Sequence, residues 1–390
     1  MLAKKDPSNS TEALAPFRGS TRSELEDSQN LESNELTDLE LEEISDDELE
    51  YGSVSYKVQG FDVAGLKRRL EQQQILIPRS SNNESIGEAE NFQREFVWKK
   101  SQMDQFIESL LLGYPTPSIF LVEQSDNKYI LMDGQQRLST IKAFYDEKIT
   151  SNTNETDKEF KLSYVTKILK GKKYSNLDES LRLKLDNTNI NAIIVQSTER
   201  NDLAIHAIFQ RLNSGGTPLT PHEIRVALYR GQLIRDINMV NSNDNWRKIY
   251  GRPDKRLRDH ALIMKIIALD IDGQNYKNPM LSFLNNFAKL NRNGNDRIDE
   301  VIARFDKAAE LLSQNGIGNR SENQIEAYFL GAMHALKIGL DLDREHVARS
   351  IALIDGNDTF AQLIKSRTTD TKAVKGRREI AERAFEKIGN

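Results

Sequence analysis

Asp133-Gly134-Gln135-Gln136-Arg137 follows directly on the apolar run Tyr129 to Met132 and leads into Ile141, Phe144 and Tyr145 at helical spacing. These five residues therefore fall where a strand turns into a helix. A helix start presents backbone N–H groups without intrahelical acceptors, together with the positive end of the helix dipole, and is a ready anion site. Gly134 lets the backbone approach a ligand closely. Arg137 offers a planar fork that matches two phosphate oxygens. Ser139 and Thr140 lie in the first helical turn, where their hydroxyls can reach the same oxygens, and Asp133 supplies a carboxylate for a metal ion or a water. The same residues also suit a plain helix start, with Asp133 as cap and Arg137 in a surface ion pair. The local pattern fits both readings.

Two further Gln-Arg pairs stand beside element boundaries. In Phe92-Gln93-Arg94-Glu95-Phe96-Val97-Trp98, polar side chains set among aromatics are costly to bury unless their ends face a cleft or a partner. In Phe209-Gln210-Arg211-Leu212-Asn213-Ser214-Gly215-Gly216-Thr217, the glycines can shape an anion-binding nest with Arg211 supplying charge. A plain helix stop at Gly215-Gly216 is the competing reading.

The elements that must position these groups can be read from spacing. Ser101 can cap a helix carrying Met103, Phe106, Ile107, Leu110 and Leu111, with Gly113 suited to end it. Pro115 and Pro117 force an extended lead into the apolar run Ser118 to Val122, and the turn at Ser125-Asp126-Asn127 precedes a second strand, Tyr129 to Met132. Residues 146 to 188 read as a polar excursion with a short helix near Leu181 to Leu185, and Ile190 to Val195 as a strand. Ile205, Ile208, Phe209 and Leu212 share one helical face, and Thr220-Pro221-His222-Glu223 has the capping-box arrangement that starts the next helix. Beyond Gly231 helical patterns follow one another to the C-terminus.

Composition sets outer limits. The chain has 390 residues and no cysteine, which removes disulfides, zinc ribbons and thiol catalysis together and suits a reducing cytoplasm. Met1 to Ser10 has no apolar core of signal-peptide length, and no stretch is long and apolar enough for a bilayer, so a soluble, cytoplasmic protein without a membrane partner is expected. Net charge is −5, but residues 1–51 hold 15 acidic against 4 basic side chains, leaving the remainder mildly basic at +6. That first stretch is expected to be a disordered acidic tail, although Leu39, Leu41, Ile44 and Leu49 would also permit a short docking helix.

The motifs Gln93 to Trp98, Asp133 to Thr140 and Phe209 to Arg225, in this order, resemble the N-terminal domain of the GmrSD-type restriction enzymes, a bacterial family found in anti-phage systems. The core is also similar to the ParB and sulfiredoxin fold. The likeness covers roughly Val54 to Arg230 and is weaker beyond. It implies an α+β fold: a ParB/sulfiredoxin-like mixed domain over 52–230, then an all-helical domain over 231–390. It further implies binding of a nucleoside triphosphate, as a hydrolase or a nucleotide-gated switch, with Mg²⁺ assisting. Carried over residue by residue, Asp133, Gln135, Gln136 and Arg137 are the catalytic candidates, Asp133 also holding the metal. Arg94, Gly134, Ser139, Thr140, Arg211, Asn213 and Gly215 are the phosphate-binding candidates.

Many relatives continue into an HNH nuclease. Here His206, His222, His260, His334 and His346 sit apart in helical patterns, so no HNH nuclease is expected. Arg252, Lys255, Arg256 and Arg258, and Lys372, Lys375, Arg377, Arg378 and Arg383, form basic clusters that suit DNA phosphates or an ordinary solvated face. Two alternatives to nucleotide turnover stay open: a DNA endonuclease using the same pocket, and a DNA- or nucleotide-sensing subunit that recruits a separate nuclease. Oligomeric state is not legible.

Overall fold

The computed structural model describes residues 36–44, 54–77, 98–124, 128–149, 158–196, 202–212, 219–318 and 320–387, and Leu36–Asn390 forms one compact unit. The fold is mixed, with a small sheet in the N-terminal half and helices throughout the C-terminal part.

Chain order begins with helix α1 (Asp38–Ile44), strand β1 (Tyr56–Asp62), helix α2 (Val63–Glu71) and the two-residue strand β2 (Ile75–Leu76). Helix α3 (Lys100–Leu112), strands β3 (Ile119–Glu123) and β4 (Tyr129–Asp133) and helix α4 (Gln135–Tyr145) follow. A short hairpin of β5 (Lys148–Ile149) and β6 (Lys158–Glu159), helix α5 (Glu179–Asn187), strand β7 (Asn189–Gln196) and helix α6 (Asp202–Leu212) complete this half. The five-stranded sheet has the order β1-β7-β3-β4-β2. β7 runs antiparallel to β1 and parallel to β3, which pairs antiparallel with β4.

Side chains alternate across this sheet as a pleat requires. Ile119, Leu121, Leu131, Ile190, Ala192 and Ile194 belong to one core, shared with Leu66 of α2, Ile107 of α3 and Leu138 of α4. Val122, Ile130, Met132 and Val195 belong to the other, with Ile205 and Phe209 of α6. The sheet is thus covered on both faces. α3 starts one residue before Ser101, because the Gln102 amide, not the serine hydroxyl, accepts the Lys99 N–H at 2.8 Å. Gly113 ends it in the left-handed region at φ 79°. The polar excursion is tied back by Asp104, wholly buried on α3, whose carboxylate accepts the backbone N–H of Ser163 and Tyr164 at 2.9 and 3.0 Å.

The second half is built from α7 (Pro221–Leu228), α8 (Gln232–Asn241), α9 (Asp244–Tyr250), α10 (Arg258–Asp272), α11 (Met280–Leu290) and α12 (Asp296–Ser313), then α13 (Glu322–Lys337), α14 (Arg344–Asp355), α15 (Asp358–Leu363) and α16 (Thr371–Glu386). α7 has the capping box read from sequence: Thr220 accepts the Glu223 N–H at 3.0 Å, and Glu223 accepts the Thr220 N–H at 2.7 Å. All eight of its residues are buried. Trp246 is fully buried against Phe305 and Phe329. α13 and α16 meet at Gly331, where a Cβ would come within 2.8 Å of the Ala381 carbonyl oxygen. Among the described residues no helix is long and apolar enough to cross a membrane.

One stretch departs from expectation. Asp38–Ile44, inside the segment read as a solvated acidic tail, is a helix docked on its own chain. Glu40 pairs with Arg258, Glu43 with Arg225, and Glu42 accepts from Thr368. Local composition favoured solvation, but cations far along the chain supply the partners.

Glu322, at the first turn of α13, lies close enough to α1 for Glu40 to act on it. Burial, helped by Glu40 and Asp254 against Lys265 and Arg258, pushes its carboxyl up to about 7. The folded protein therefore holds this proton between about pH 4.5 and 7 while the unfolded chain has released it. The stability it contributes is full below about pH 4.5 and is lost as pH rises through about 7. Glu322→Gln should be more stable than wild type at pH 8 by about 3 kcal/mol and nearly level with it at pH 4.5. Urea unfolding at both pH values measures this, and equal midpoints at pH 8 would refute it.

Candidate functional site

The turn between β4 and α4 is where the sequence placed it. Gly134 enters α4 with φ 106° and no side chain caps the helix. Besides strain at that φ, a Cβ there would stand 2.6 Å from Ile119 Cγ2, so only glycine fits without movement of β3. Glycine brings no side chain of its own to this N-terminus, and Gln135, Gln136 and Ser139 stand half-buried around it.

Arg137 points inward. It is buried, with Nη2 donating to Asp133 Oδ2 at 2.5 Å and Nη1 donating to the carbonyls of Pro117 and Ser118, the latter at 3.0 Å. Its fork ties the start of β3 to the end of β4 and takes Asp133 as counter-ion. The surface ion pair imagined for it is therefore a buried clasp. Thr140 is wholly buried and donates to the Gln136 carbonyl at 2.7 Å, which turns its hydroxyl into the helix instead of toward a ligand.

The first motif meets the second here. Gln136 Oε1 accepts the Trp98 N–H at 3.3 Å, and the Trp98 ring packs edge-on against Phe106 of α3. Arg94 itself lies outside the described residues. The third motif arrives on α6, which packs on β4 and carries Arg211 exposed in its last turn. Asn213 and Gly215 lie outside the described residues. For Mg²⁺, the described residues bring only Asp133 to the turn, already paired with Arg137. Among the described residues no group of three or more His, Asp or Glu could hold a metal ion.

The histidines are not all apart, as sequence suggested. His222 Nε2 and His260 Nδ1 lie 2.7 Å apart, joining α7 to α10, and His222 Nδ1 faces Arg225 at 3.4 Å. Burial, followed by His260 and Arg225, holds the His222 imidazole well below its ordinary pKa, and burial takes His260 to about 3. His206, buried with the Arg225 charge nearby, also falls to about 3. These rings are neutral near pH 7. Thirty-eight residues separate His222 from His260, and no local pattern could pair them.

Much of the basic charge is also spent internally: Arg256 pairs with Glu223, Arg377 with Glu326 and Arg378 with Glu382. Arg252 and Lys372 stay exposed.

No curated protein and no solved structure matches the chain. A family model does, that of the GmrSD restriction endonuclease N-terminal domain, over residues 77–230, a span that contains all three Gln-Arg motifs and the β4–α4 turn. The role it carries is in restriction and anti-phage systems. Over residues 77–230 the chain is therefore similar to the GmrSD restriction endonuclease N-terminal domain family.

Proposed function

We propose that the β4–α4 turn receives the phosphates of a nucleoside triphosphate, and that the chain is a nucleotide hydrolase or nucleotide-gated switch in a restriction system. The observation that carries this is the strand-to-helix turn itself, where Gly134 enters α4 at φ 106° and the chain at Trp98 borders the helix start. Backbone N–H groups there favour negative charge. Arg137 and Asp133 shape the turn instead of touching phosphate. Ser139 and Gln135 meet the ligand, joined by Arg94, Arg211, Asn213 and Gly215 from the flanking motifs. Gln135 and Gln136, side by side at the helix start, are the candidates to orient an attacking water. Mg²⁺ would neutralise phosphate charge, arriving with the nucleotide, which needs few protein carboxylates.

Calorimetric titration of the purified chain with ATP, GTP, CTP and UTP, each with Mg²⁺, tests the reading. Binding of at least one is expected. Gly134→Ala should weaken it about tenfold or more by displacing charge-assisted backbone contacts, and Gln135→Ala should slow turnover while sparing affinity. Absence of binding to all four would sink the proposal.

A further inference from the structure

α1 is seated largely through its acidic side chains. Leu41 is 45% exposed, and the contacts that seat the helix are made by its carboxylates. Glu40 Oε1 and Oε2 accept from Arg258 Nε and Nη2 at 3.3 and 3.2 Å, a two-point grip. Glu42 Oε2 accepts both the N–H and the hydroxyl of Thr368 at 2.8 Å. Glu43 pairs with Arg225.

Arg225 is the informative member. Its side chain is wholly buried, and its other nitrogens meet the neutral Asn285 Oδ1 at 2.9 Å and His222 Nδ1 at 3.4 Å. Among the described residues Glu43 is the carboxylate that pairs with it. A buried guanidinium without an anion is strongly unfavourable, so this position calls for a negative group whether or not α1 is seated. Glu40 and Glu42 stand in two-pronged cradles and Glu43 meets Arg225 at one point, positions that a phosphate fills at least as well.

The site also lies between the two basic clusters noted in the sequence. Arg258 belongs to the first, and Thr368 directly precedes α16, which carries the second, with Arg377 Nη1 donating to the Thr368 carbonyl at 2.7 Å. The acidic helix bridges them.

We propose that the face beneath α1, formed by Arg225, Arg258 and Thr368, is a binding surface for the sugar-phosphate backbone of nucleic acid, and that α1 occupies it as an intramolecular phosphate mimic. Nucleic acid and α1 then exclude one another. This surface is separate from the β4–α4 turn and does not depend on nucleotide binding there.

The test uses the full chain and a fluorescein-labelled DNA duplex, read by anisotropy at fixed salt. Glu40→Gln/Glu42→Gln is the first variant. Thr37 and Glu40 form a capping box, with Glu40 Oε2 accepting the Thr37 N–H at 2.7 Å, and glutamine keeps that cap while removing charge. Its affinity should rise roughly tenfold over wild type, as one ion pair and the charge on one pair of hydrogen bonds are lost from the competing state. Adding Arg258→Glu should then abolish the gain. Hydrogen exchange supplies a readout independent of the variants: in wild type, duplex should speed exchange at residues 38–44. An unchanged affinity in the double variant, a gain that survives Arg258→Glu, or exchange at 38–44 that ignores duplex would each overturn the proposal.

Discussion

Arg137→Ala is expected to lower folding stability by about 3 kcal/mol and to lose nucleotide affinity as a consequence. The reason is the direction of the guanidinium. It does not face the solvent side of the α4 terminus but reaches Asp133 and the carbonyls of Pro117 and Ser118. Truncation leaves two carbonyls short of a donor and Asp133 without its counter-ion. Because Asp133 is 39% exposed, water relieves part of that loss, which keeps the estimate below that for a fully buried pair. Arg137→Lys should rescue little, since a point charge cannot span a carboxylate and two carbonyls in fixed geometry. Urea unfolding paired with nucleotide titration separates the possibilities. If Arg137→Ala unfolds at the wild-type midpoint yet loses nucleotide, the residue grips phosphate directly and the clasp described here is secondary.

Arg377→Ala should be more damaging still, by about 4 kcal/mol. Arg377 and Glu326 are both fully buried, with Nη2 to Oε1 at 2.9 Å, and Lys265 approaches the other carboxylate oxygen at 2.5 Å. Burial alone would raise the Glu326 pKa, but Arg377 and Lys265 bring it below the ordinary value, so the carboxylate stays charged. Removing the arginine strands that charge in the core and frees the carbonyls of Leu363 and Thr368. Replacing both partners by methionine should cost less than Arg377→Ala, because no charge is then left in the core itself and only Lys265, which keeps some access to water, loses its carboxylate. Equal or greater loss in the double variant, by thermal or urea unfolding, would show that the pair is not the source of the effect.

How far the sequence reached depended on distance along the chain. The strand-to-helix turn at Asp133–Arg137, the stop at Gly113, the strand before α6 and the capped start of α7 were legible because caps, turns and periodicity act within a few residues. The sheet order was not: β1 and β7 pair Tyr56 with Val195, and nothing near either residue announces the other. The same holds for the site. Arg137 was visible as a cation at a helix start, yet its partners at Pro117 and Ser118 were not, and these decide that it clasps backbone. Thr140 was placed on the right turn but with its hydroxyl directed back into the helix. α1 failed in the other direction, since its composition spoke for solvent while Arg225, Arg258 and Thr368 lay far downstream.

The burial of every residue of α7 bears on how such chains are assembled and rearranged. The matched stretch ends at residue 230, yet its last helix lies within the same core as α10 to α13. A cut at that point would strip a helix buried on every side, its apolar and charged residues alike, of its sheath, so the stretch cannot be grafted onto a foreign protein as a free-standing cassette. Any exchange of parts over evolutionary time must have carried a helical companion along, or replaced it with another able to wrap the same eight residues.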